Sequence, residues 1–113
     1  MRLAALQGVY FLVTGLWPLV DIRSFQAVTG PKRDLWLVRT VGVLVAVIGA
    51  ALAADARRPS RGTTTLAVGS AAGLAAIDTI YATRGTISRV YLLDAVAELA
   101  LIIGWLRARR HSR

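Results

Sequence analysis

The chain has 113 residues, of which 56% are apolar and 18% charged, and it carries a formal net charge of +8. That length leaves room for one domain, and the apolar excess lies outside the balance of a soluble globular chain. The absence of cysteine excludes disulfides and thiolate-held metals, and a single histidine, His111 in a basic tail, excludes a histidine metal cluster.

The basic excess does not point to nucleic acid, because a soluble nucleic-acid binder needs a basic face on a water-soluble body. Here the arginines gather between four long apolar blocks, the pattern of membrane flanks set against anionic lipid. The bilayer is the expected partner.

Leu3–Val20 is the first block, with only Gln7 and Thr14 clearly polar. At ~1.5 Å per residue it spans roughly 27 Å, close to the hydrocarbon thickness. Gln7, Tyr10, Phe11, Thr14, Pro18 and Asp21 follow helical spacing, giving a polar–aromatic stripe with Gly8 and Gly15 beside it. No Ala-x-Ala site follows and the apolar core is long, so the block reads as a span and not a signal peptide. In residues 21–34, Ile22, Phe25 and Val28 are three apart, which predicts a short interfacial helix stopped by Gly30-Pro31.

Leu35–Ala54 is the second block. Arg39 lies one turn in, on a face shared with Gly42, Val43, Ala46, Ala50 and Ala53, so it is expected to point toward neighbouring helices. A polar connector follows, and the third block covers 63–82. Its Gly69-Ser-Ala-Ala-Gly73 is a small-xxx-small motif, expected to pack within the chain, with a homo-oligomer contact as the alternative. Asp78 falls on the opposite face, with Ala67, Ala71, Leu74 and Tyr81. After a basic turn at 84–89, the fourth block spans 90–106, with Tyr91, Asp94, Glu98, Ile102 and Trp105 on one face.

The expected fold is all-α: a single integral membrane domain over 1–113, built as a four-helix antiparallel transmembrane bundle (helices about 3–20, 35–54, 63–82 and 90–106). Arg2, Arg57, Arg58, Arg61, Arg107, Arg109, Arg110 and Arg113 fall on one side, against Arg23, Lys32, Arg33, Arg84 and Arg89 on the other. The larger count marks the cytoplasm, so both termini are expected there. The composition, rich in Ala, Val and Arg, leans toward a bacterial inner membrane.

In that topology Arg39, Asp78 and Asp94 share one depth, roughly 6 to 8 Å below the outer interface, and Glu98 sits at the midplane. Acids inside a membrane are costly and mark functional sites by default. Arg39, with Arg84 and Arg89 reaching inward, is expected to compensate them. The first functional reading is a non-enzymatic accessory or assembly component whose Arg/Asp/Glu cluster holds the bundle. The second is a protein that binds or transports protons or small cationic or amphipathic ligands, with Glu98 and Asp94 as acceptors and Asp78, Arg39, Tyr81 and Tyr91 nearby. No nucleophile, metal set or cofactor motif is legible, so catalysis comes last.

Gly15-Leu16-Trp17-Pro18 at the end of the first block, and Arg39 followed by Gly42 and Gly49 in the second, resemble the small DoxX-like bacterial membrane proteins. That resemblance implies a four-helix membrane architecture and no particular activity. Asp78, Asp94 and Glu98 are also similar to the intramembrane acids of the emopamil-binding group, which implies a cavity for cationic amphiphiles. The small multidrug exporters match in length, but carry their essential acid in the first helix, where this chain has Gln7.

Overall fold

The computed structural model describes residues 2–32 and 34–111, the side chains of Arg2, Arg109, Arg110 and His111 excepted. The described residues form five helices and no strand: α1 (Arg2–Val20), α2 (Ile22–Thr29), α3 (Leu35–Ala54), α4 (Arg61–Thr83) and α5 (Tyr91–His111). The chain divides into two compact units, Met1–Pro59 and Ser60–Arg113.

In the first unit α1 and α3 run antiparallel, and glycine sets their spacing. A Cβ on Gly15 would lie 2.5 Å from the Ala46 nitrogen and 2.6 Å from the Gly42 oxygen, and a Cβ on Gly49 would lie 2.5 Å from the Leu12 nitrogen. Gly8 meets Gly49 and Ala53 in the same way. Glycines seven apart on each helix therefore recur on one face and let the two backbones touch. Phe11, Gln7 and Leu52 are fully buried in this unit.

The short helix expected after the first block is present as α2. The Asp21 carboxylate accepts from the Ser24 backbone N–H at 3.2 Å, satisfying an otherwise orphaned donor of the first turn. Trp17 Nε1 donates to Ser24 Oγ at 2.7 Å, and its ring meets Phe25 edge-on at 5.4 Å, which ties α2 to the end of α1. Gly30, at φ 95°, ends the helix in a conformation that side chains disfavour.

Within this unit the buried face of α3 follows the expected one only in part. Its buried face is Gly42, Ala46, Gly49 and Leu52, and Arg39 is exposed, as are Val43, Ala50 and Ala53. The face that meets α1 is centred roughly 60° around the helix from Arg39, at ~100° per residue, which leaves the guanidinium at its edge.

In the second unit α4 and α5 form a helical hairpin. Ser60 caps α4 by accepting from the Thr63 N–H at 3.1 Å, so the helix starts two residues earlier than the apolar pattern indicated. It ends in a Schellman motif: the Thr86 N–H reaches the Tyr81 oxygen at 2.9 Å and the Gly85 N–H reaches Ala82 at 3.2 Å, with Gly85 at φ 77°. Ala67, Ala71, Ala75, Asp78 and Ala82 are the buried residues of α4. Gly69 and Gly73 are exposed and a Cβ on either meets nothing within 4 Å, so within this unit the motif does not pack against α5.

Among the described residues three helices, α1, α3 and α4, are long and apolar enough to cross a membrane. The fourth expected span forms a helix but does not join this set. Every 18-residue stretch of α5 takes in Asp94, Glu98 and Arg107, which leaves a shorter apolar run between its first residue and the basic tail.

Candidate cation-binding site

The buried face of α4 is alanine apart from Asp78, which lets α5 approach closely, and α5 buries Ala95, Glu98, Leu101 and Trp105. Into that environment α4 carries Asp78 and α5 carries Asp94 and Glu98. Asp94 and Glu98 are one turn apart, so they project from the same face of α5. Asp78 is 5% exposed and Glu98 only 1%. Asp94 is half-buried and lies within hydrogen-bonding reach of both of the others.

The hydrogen bonding is incomplete. Asp78 Oδ2 and Glu98 Oε1 are buried and have no partner. An ionised carboxylate is an acceptor only, so two carboxyl groups in contact require a proton or another cation between them. A buried carboxylate left without one carries a desolvation cost that in proteins is met by pairing.

Within the hairpin unit the expected compensation by Arg84 and Arg89 is not made among the described residues. Arg84 and Arg89 are exposed on the connector, and neither forms an ion pair to Asp78 or Asp94 among the described residues. Arg39 belongs to the other unit and is exposed there. Of the two tyrosines, Tyr91 is half-buried at the start of α5 and Tyr81 is 37% exposed. The structure thus brings together the three acids of the hairpin unit, with Tyr81 exposed on α4.

A cavity of about 570 Å³ opens at the turn of the hairpin, lined by Ala82, Thr83, Gly85, Ile87, Arg89 and Leu92. None of the three acids lines it; Ala82 stands one helical turn beyond Asp78. Sequence reasoning missed Ala75 and Ala95, both buried. Their signal was present: Ala75 continues the four-residue alanine repeat of Ala67 and Ala71, and Ala95 follows Asp94 directly. No group of three His, Cys, Asp or Glu side chains among the described residues is arranged to hold a metal ion.

No protein-family model matches the chain, and no curated protein or solved structure is significantly similar to it.

Proposed function

We propose that this protein is a small integral membrane protein that binds a proton or a small cationic or amphipathic ligand at Asp78, Asp94 and Glu98. One observation carries the reading: two buried carboxyl groups each keep an oxygen without a partner, around a third carboxyl within reach of both. A site that served only to hold helices together would be closed by its own base, and Arg84 and Arg89 remain exposed. In this reading α5 crosses the membrane with the other three long helices and both termini face the cytoplasm of a bacterial inner membrane. The likeness to the DoxX-like proteins belongs to this reading, as an architecture.

The test uses the full chain in lipid nanodiscs, with tetraphenylphosphonium as the cation probe and the infrared carboxyl bands as the proton probe. Wild type is expected to bind the probe or to show protonated carboxyl bands, and Glu98→Gln and Asp78→Asn are expected to fold and lose that signal. A wild type showing neither signal, or a Glu98→Gln chain that does not fold, overturns the reading.

The alternative, an accessory or assembly component, is favoured by a different observation. Gly69, Ala72, Gly73 and Ala76 form an exposed small-residue stripe on α4, a surface suited to another membrane helix, including that of a second copy.

A further inference from the structure

Arg39 is the one charged side chain in α3, and it stands on a helix apolar enough to cross a membrane. It is exposed, and no carboxylate among the described residues pairs with it. Asp34, at the start of the helix, is five residues back and therefore points about 140° away.

We infer that Arg39 is a phospholipid-binding residue that takes the headgroup phosphate of an anionic lipid. It lies four residues into α3, about 6 Å along the axis from the first residue, a depth from which an arginine side chain extends back to the phosphate layer. A guanidinium presents a planar fork that matches two phosphate oxygens. Its surroundings supply the rest of a lipid site. Trp36, 66% exposed, is one turn nearer the helix start, where an indole ring sits at the headgroup level. Val43 and Val47 are exposed further down the same side and offer an apolar track for an acyl chain. The abundant anions at that level of a bilayer are lipid phosphates, and Arg39 faces outward from its unit. This inference does not depend on the acidic site of the α4–α5 hairpin.

Native mass spectrometry of the full chain, released from equimolar phosphatidylglycerol and phosphatidylcholine, tests it. Wild type is expected to retain phosphatidylglycerol preferentially. Arg39→Gln is expected to weaken that retention about ten-fold, the effect of losing one charge-assisted contact, and Arg39→Lys to keep part of it. Equal retention of the two lipids by wild type, or undiminished retention by Arg39→Gln, overturns the assignment. Thermal unfolding in pure phosphatidylcholine discs guards against a folding defect. If Arg39→Gln is destabilised there while Arg39→Lys is not, the partner is a protein carboxylate, and the assignment is wrong.

Discussion

Gly15 and Gly69 are both glycines inside apolar helices, and the structure gives them opposite fates on replacement by alanine. At Gly15 the new methyl group would lie 2.5 Å from the Ala46 nitrogen and 2.6 Å from the Gly42 oxygen. Both are backbone atoms, which cannot swing aside as a side chain can. Ordinary van der Waals contact begins near 3.4 Å, so α1 and α3 must separate by up to about 1 Å along that line. Overpacking of this kind costs roughly 1–3 kcal/mol, and here it also loosens the Gly8–Gly49 contact two turns away. At Gly69 nothing lies within 4 Å, and the higher helix propensity of alanine favours the variant by about 1 kcal/mol. The two variants are therefore expected to differ by roughly 2–4 kcal/mol, with opposite signs against wild type. Unfolding of the detergent-solubilised protein, followed by helical circular dichroism, measures both. Equal stability of Gly15→Ala and wild type would refute the close antiparallel contact. If Gly69→Ala is instead destabilised, and the difference from wild type vanishes on dilution, the α4 stripe is an interface between chains.

Asp94→Asn is expected to preserve the hairpin, because the amide can donate to both neighbouring carboxyls. Asp94→Leu is expected to cost about 1–3 kcal/mol by stranding two buried acids, with thermal unfolding in nanodiscs separating them. Gly85→Ala forces a β-carbon into left-handed backbone and is expected to cost about 1 kcal/mol in the same assay. Trp17→Phe removes the 2.7 Å bond to Ser24 and is expected to raise amide exchange across α2 while α1 and α3 stay protected. Because the chain lacks cysteine, Thr86→Cys and Arg107→Cys report topology cleanly. Labelling from opposite sides of the membrane is expected, and labelling from one side means that α5 does not cross.

Helix positions were legible because apolar runs bounded by polar turns have few other solutions, and the local signals at Ser60, Gly30 and Gly85 acted as their residue types dictate. The meeting of Asp78 with Asp94 and Glu98 was legible too, since one helical turn separates the latter two and a seven-residue connection folds α5 back on α4. The face of α3 that meets α1 was legible only in part, for a specific reason. Small residues on α3 cover two adjacent arcs, Gly42–Ala46–Gly49 and Val43–Ala50, and only the shape of α1 decides which arc is used. The same limit applies to the two glycine patterns. A small residue permits close approach without requiring it, so Gly69 and Gly73 stay uncovered while Gly8 and Gly15 find glycines facing them across the interface.

Of the three charged residues that keep α5 out of the set of strongly apolar helices, Asp94 and Glu98 also belong to the acidic cluster. Between Tyr91 and Leu106 the helix carries eight Leu, Ile and Val residues, which favour insertion by roughly 3–5 kcal/mol together. Two ionised acids near the centre of a span oppose it by about 5–7 kcal/mol. On those magnitudes α5 does not enter a bilayer with both acids ionised and unpaired, and does enter once they are neutralised. Contact with Asp78 makes that neutralisation cooperative, because one proton or cation serves two carboxyls. On the proposed reading, insertion of α5, its packing on α4 and occupation of the site form a single coupled event. Leu at both 94 and 98 would make α5 a better membrane helix and leave it nothing to bind with, so apolarity and binding are opposed at these two positions.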